Sequence, residues 1–99
     1  MPPKSSIYKI ENILTGDVYV GSTSVKVERR WSNHLSDLRC GRHPNLLLQL
    51  HADLMGLACF KFTKIKTCKK EQKTYWEAVY IEQLNASYNI KLNKKELVQ

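Results

Sequence analysis

Ser6-Ile7-Tyr8-Lys9-Ile10-Glu11-Asn12-Ile13-Leu14-Thr15-Gly16-Asp17-Val18-Tyr19-Val20-Gly21 is the stretch that decides the fold. Two short segments rich in β-branched and aromatic residues, 6–10 and 17–21, flank Thr15-Gly16, which supplies turn chemistry, so a β-hairpin is predicted. Residues paired across a hairpin point to one face. A connecting loop of even length without a bulge makes the paired numbers sum to an odd value. Tyr8 and Tyr19 then share a face, and Ile7, Val18 and Val20 point to the other, where helices can cover them.

Downstream the spacing changes. From about Val25 to Arg39, the residues Val27, Trp31, Leu35 and Leu38 recur at helical intervals, with Ser24 as the expected N-cap. Arg30 and His34, four apart, share a helix face beside that apolar stripe. Gly41 ends this helix, and Pro44 opens another reaching about Leu54, with Leu47, Leu50 and Leu54 expected inward. Phe60-Lys61-Phe62-Thr63 alternates like a strand, extending from Cys59 to Lys66 and adding a third member to the sheet. A last helix from about Lys69 to Leu84 buries Trp76, Val79, Tyr80 and Leu84 and leaves Glu77 at the border of its stripe. The expected architecture is α/β in the α+β sense: a small three-stranded antiparallel sheet flanked by helices, in the order ββααβα. One domain is expected over residues 1–99, with a core at about 5–92 between a short leader and a tail that frays.

Sixteen Lys and Arg against nine Asp and Glu give a formal charge of +7, which favours a polyanionic partner over a neutral small molecule. No apolar run approaches the ~20 residues of a membrane span, and Met1-Pro2-Pro3-Lys4 is followed by no apolar signal region. The expectation is a soluble intracellular protein without membrane partners, whether in cytoplasm, nucleus or a virus-infected host cell. Cys40, Cys59 and Cys68 are odd in number and never spaced C-x-x-C, so they read as reduced thiols.

The ordered set Ser6-Ile7-Tyr8, Tyr19-Val20-Gly21, Arg30-Trp31-x-x-His34, Gly41-x-His43, Glu77 and Tyr88-Asn89-Ile90 resembles the GIY-YIG nucleases in order and spacing, over residues 5 to 92. It is most similar to the catalytic domains of phage intron-encoded homing endonucleases, and more distantly to the nuclease half of the bacterial excision-repair incision protein. Ser6 stands where the family's name motif has its first glycine, and Val20 replaces an isoleucine while keeping a β-branched strand residue.

The resemblance implies an endonuclease that hydrolyses DNA phosphodiesters, one nick per active site, in a homing-like or repair-like setting. Such hydrolysis demands a positioned water, neutralisation of phosphoryl charge and help for the leaving oxygen. Glu77 resembles the family's carboxylate ligand for Mg²⁺ or Mn²⁺, ions that one carboxylate, waters and a substrate phosphate suffice to hold. Arg30 is expected to bind phosphate oxygens bidentately and stabilise transition-state charge, in preference to its neighbour Arg29. Tyr8 is favoured as general base or water-positioner and Tyr19 as the residue orienting phosphate or water. A phenol serves as base only if positive charge lowers its pKa. His34 is expected to relay a proton from a tyrosine or hold the phosphate, with Gly21, His43 and Asn89 as accessory residues.

Lys26, Arg29, Arg39, Arg42, Lys64, Lys66, Lys69, Lys70 and Lys73 are the expected DNA-contacting positions, on duplex or branched DNA. Phosphate contacts carry no sequence information, so selectivity is expected to need a separate DNA-binding domain or partner protein. The competing reading is a noncatalytic nucleic-acid-binding module that keeps the fold. Such a module has no need for the whole polar set of Tyr8, Tyr19, Arg30 and Glu77.

Overall fold

The computed structural model describes residues 4–89. Its elements follow the expected order: β1 (Lys4–Asn12), β2 (Val18–Thr23), α1 (Val27–Arg39), α2 (Leu46–Met55), β3 (Phe60–Lys69) and α3 (Lys73–Gln83), with short 3₁₀ turns at Leu57–Cys59, Lys70–Gln72 and Ser87–Asn89. The sheet is antiparallel throughout, in the order β2-β1-β3, so β2 is an edge and β1 is central. Among the described residues no helix is long and apolar enough to cross a membrane.

The hairpin parity holds. Tyr8 pairs with Gly21, Lys9 with Val20 and Ile10 with Tyr19. The buried Asn12 organises the turn: its Oδ1 accepts from the backbone N–H groups of Leu14 (2.9 Å) and Thr15 (3.2 Å), and its carbonyl accepts from Gly16 N (2.8 Å). Gly16, at φ 82°, takes the left-handed backbone that closes the loop. On the other side of β1, Ile7 pairs with Lys66 but Tyr8 with Lys64, so Ile65 is an extra residue in a β-bulge beside Tyr8.

The two faces of the sheet carry separate cores. Tyr8 and Ile10 pack with Val27, Leu38, Leu48, Ala52 and Tyr88 under α1 and α2. Ile7, Val18 and Val20 pack with Cys68 and Ala86 under Trp76, Tyr80 and Ile81 of α3.

Four expectations of detail need correction. Ser24 does not cap α1: the helix starts at Val27, Lys26 occupies the cap position without a side-chain bond, and Ser24 Oγ instead meets Ser5 Oγ at 3.0 Å. Asn45, not Pro44, opens α2, its side chain accepting from Leu48 N at 3.0 Å. The inward residues of α2 are Leu48, Gln49 and Ala52, whereas Leu47, Leu50 and Leu54 are 41%, 50% and 71% exposed. The buried Gln49 sets this rotation, because its amide accepts from His43 N (2.9 Å) and donates to Leu38 O (3.0 Å) and cannot turn outward without stranding both. Finally, β3 continues to Lys69, and the closing helix is correspondingly shorter at its start.

Candidate active site

Strand pairing sets Tyr8 and Tyr19 diagonally on one face of the hairpin, with ring centroids 6.4 Å apart. Gly21 makes this possible. A Cβ on Gly21 would lie 2.5 Å from the Tyr8 Oη and 2.9 Å from Cε1 of Tyr19, so only glycine leaves room for both rings. Tyr8 is buried and Tyr19 half-buried.

α1 crosses this face and carries His34 and Arg30, one turn apart. His34 is buried more deeply than a residue bordering the apolar stripe, and its Nε2 stands 2.7 Å from the Tyr8 Oη. Its Nδ1 stands 2.7 Å from Nε2 of the buried His43, and His43 Nδ1 accepts the backbone N–H of Asn45 at 3.0 Å. Arg30 is half-buried beside Tyr8 and acts on both tyrosines electrostatically, whereas Arg29 is exposed.

Glu77 arrives from the opposite face. α3 covers the side of the sheet that Ile7 and Val20 point to, and from there Glu77 accepts a hydrogen bond from Ser22 Oγ at 2.5 Å. Ser22 follows Gly21 on the edge strand and points away from it. The site therefore straddles the outer edge of β2, with the tyrosines, Arg30 and His34 on one side and Glu77 on the other. Asn89 closes that edge: its Oδ1 accepts from Val20 N at 2.7 Å and its Nδ2 donates to Val20 O at 2.8 Å, as a further strand would.

The surroundings tune these groups in opposite directions. Burial, reinforced by the neighbouring Tyr19, pushes the Tyr8 phenol far above its ordinary range, and Arg30 only partly opposes this. Tyr19 is raised by burial and then by the Glu77 carboxylate. This is the reverse of the condition the sequence reading set for a basic phenol. Burial, then Arg30 and His43, lower His34 to about 3; burial also lowers His43. Both imidazoles are neutral near pH 7.

The donor set offers a hard cation a single anchor. Glu77 is half-buried, and among the described residues no Lys or Arg lies within ion-pair distance of it. Among those residues there is also no cluster of three His, Cys, Asp or Glu side chains able to hold a metal. One carboxylate, with the remaining positions left to water and substrate oxygens, fits Mg²⁺ or Mn²⁺.

The basic candidates do not form one patch. Lys26 and Arg29 are exposed at the start of α1, while Arg39 and Arg42 lie at its far end, where Arg42 pairs with Asp37 at 3.4 Å. Lys69, Lys70 and the half-buried Lys73 sit at the junction of β3 and α3. There Lys4, Lys66, Lys69, Gln72 and Trp76 line a cleft of about 450 Å³, with Lys66 Nζ 4.2 Å from the centre of the Trp76 ring. Sequence reasoning missed Ser22, Asn45 and Gln49. Strand parity puts Ser22 on the face that α3 covers, and Asn45 before an apolar run is a capping signal; nothing local marked Gln49. Ile90, the last residue of the closing Tyr88-Asn89-Ile90 motif, lies outside the described residues.

Residues 4–89 match the profile of the GIY-YIG catalytic domain. Intron-associated endonuclease 1 of Enterobacteria phage T4 is 35% identical over 91 residues, covering 87% of this chain and 35% of the phage protein. An uncharacterized protein of Invertebrate iridescent virus 6 is 35% identical over 77 residues, covering 78% of this chain and 26% of that protein. The chain thus spans about a third or less of the length of these relatives. Among solved structures, the catalytic domain of the homing endonuclease I-TevI superimposes with a TM-score of 0.77 at 32% identity, covering 86% of this chain and 92% of that one. A mutant of the same domain, with one glutamate changed to alanine, gives 0.78 at 33% identity, covering 87% and 89%.

Proposed function

The chain belongs to the GIY-YIG catalytic-domain family, and from that premise we propose that it is an endonuclease domain hydrolysing DNA phosphodiester bonds with one divalent metal ion, one nick per active site. The carrying observation is convergence: Tyr8, Tyr19, Arg30, His34 and Glu77, distant in sequence, surround the edge of β2 from both faces of the sheet. A binding-only module has no use for a buried tyrosine–histidine pair and a carboxylate aimed at one strand edge.

Glu77 would hold Mg²⁺ or Mn²⁺, which when bound would polarise the phosphate and assist departure of the leaving oxygen. Arg30 would grip the phosphoryl oxygens; its guanidinium stays charged and its fork matches two oxygens at once. Tyr8 and Tyr19 would place water and phosphate by hydrogen bonding, the raised Tyr8 phenol keeping its proton in the resting site. Asn89 and Gly21 would act on geometry, by holding the β2 edge and by giving the two rings room. DNA would be gripped through its backbone by Lys26, Arg29, Lys69, Lys70 and Lys73, with Arg39 and Arg42 reaching flanking phosphates. Such contacts leave target choice to another domain or partner protein. We take residues 5–92 as the single catalytic domain.

Nicking of supercoiled plasmid and of flapped or branched DNA, with Mg²⁺, Mn²⁺ or chelator, tests this reading beside Glu77→Ala and Arg30→Ala. Metal-dependent nicking by the native chain, lost in both variants, is expected. Undiminished metal-dependent nicking by purified Glu77→Ala refutes the assigned ligand. DNA binding without any nicking would favour the binding-module reading.

A further inference from the structure

The hydrogen bonds behind Tyr8 have a direction. His43 Nδ1 faces the backbone N–H of Asn45 at 3.0 Å. An amide N–H only donates, so this nitrogen must present its lone pair and carry no hydrogen. A neutral imidazole has one N–H, and His43 must therefore carry it on Nε2. That nitrogen is 2.7 Å from His34 Nδ1, which becomes the acceptor. His34 is then protonated on Nε2, 2.7 Å from the Tyr8 Oη, and donates to the phenol oxygen. A doubly protonated state of either ring would place N–H against N–H at one of these contacts. Burial of both rings, 2% and 4% exposed, removes water as an alternative partner.

We infer that His43, oriented by the backbone N–H of Asn45, is a positioning residue that locks His34 as a hydrogen-bond donor to Tyr8 and so aims the Tyr8 hydroxyl hydrogen into the site. This deepens the nuclease reading and rests on it for the role of Tyr8. The chain of donors ends at an amide that neither gives up nor accepts a proton, so it is no relay. His34 Nε2 has no lone pair with which to take the Tyr8 proton, and any proton that Tyr8 gains or loses must pass through the mouth of the site. What the histidines supply is a fixed donor to the Tyr8 oxygen, which steadies negative charge there and leaves the hydroxyl hydrogen facing the Tyr19 oxygen, since Arg30 beside it can only donate. The structure also shows how His43 is held still. Its backbone N–H donates to Gln49 Oε1 at 2.9 Å, and Gln49 is anchored to Leu38 O and Asp53.

Long-range ¹H–¹⁵N correlation spectra of the ¹⁵N-histidine-labelled native chain at neutral pH, without metal or DNA, test the inference directly. The expected pattern is one Nε2–H tautomer for both His34 and His43. An Nδ1–H tautomer on either ring, or a mixture, overturns it. In His43→Phe, His34 loses its partner and is expected to populate both tautomers, with nicking kcat down about tenfold and KM unchanged. A His34 that stays wholly in the Nε2–H form in that variant also overturns the role of His43. If the variant does not fold, the native spectrum decides alone. Since the spectra need no turnover, failure of the nuclease reading and failure of this inference are separable.

Discussion

Tyr8 lies directly across the hairpin from Gly21, and its hydroxyl occupies the space that any side chain at position 21 would fill. Gly21→Ala would push Cβ to 2.5 Å from the Tyr8 oxygen, so one of the two tyrosine rings has to move. We expect a stability loss of ~1–3 kcal/mol from overpacking and a fall in nicking of about 10²-fold from displaced groups. Urea unfolding and plasmid nicking measure these; an alanine variant with native activity would show that Tyr8 is not held where the mechanism needs it.

Arg30 and Arg29 are adjacent but turned about 100° apart on α1, one half-buried beside the tyrosines and the other exposed. Arg30→Ala should lower kcat by about 10²–10³-fold, as expected for removal of a transition-state donor. Arg30→Lys should rescue little, since lysine lacks the two-pronged fork. Arg29→Ala should change chiefly the salt dependence of DNA binding. Reversal of the two effects in steady-state kinetics would reassign the phosphate-binding residue.

Among the described residues the Glu77 side chain makes one hydrogen bond, accepted from Ser22, so its removal should spare the fold. For Glu77→Ala, stability should change by no more than about 1.5 kcal/mol, whereas metal-dependent nicking should fall by at least about 10²-fold. Thermal unfolding run beside the nicking assay separates the two. An unfolded variant would mean the carboxylate is structural.

The corrected rotation of α2 is testable by paired truncation. Leu48 is fully buried and Leu47 is 41% exposed. Leu48→Ala should cost ~2–5 kcal/mol, and Leu47→Ala about 0.5 kcal/mol or less. Equal costs in denaturant unfolding would restore the rotation expected from the leucine spacing.

His34 is held neutral, its folded value near 3 against 6.5 for an ordinary histidine, with burial the main cause. Between those values the unfolded chain binds a proton that the folded chain refuses. Stability should therefore be level above about pH 6.5 and fall as the pH drops below it. His43, lowered in the same direction, adds to the slope. Urea midpoints should fall more steeply between about pH 7 and 5 for the native chain than for His34→Gln; parallel slopes would mean that His34 is protonated in the folded state.

Much of the fold was legible because it rests on local rules. Thr15-Gly16 between two β-rich segments specifies a hairpin, and strand parity alone puts Tyr8 and Tyr19 on one face, as the pairing of Tyr8 with Gly21 and Ile10 with Tyr19 shows. The rotation of α2 was not legible. With Leu46, Leu47, Leu48, Leu50 and Leu54 in one short helix, several apolar faces satisfy the same periodicity. The choice fell to a polar residue, Gln49, whose partners His43 and Leu38 belong to other segments.

The sequence by itself determined the chemical inventory and its order: two tyrosines on one strand face, an arginine and a histidine one helical turn apart, and a carboxylate on the closing helix. Periodicity and residue type are properties of neighbours along the chain, and the chain displays them. Only the tertiary structure decided that Glu77 comes from the opposite side of the sheet and meets the others at the β2 edge. It also decided that Tyr8 is raised, not lowered, and that Asn45 sets the direction of the bonds reaching it. Those outcomes depend on desolvation and on hydrogen bonds such as Ser22–Glu77 and Tyr8–His34, whose partners lie tens of positions apart, and such terms exist only once the chain has closed around them.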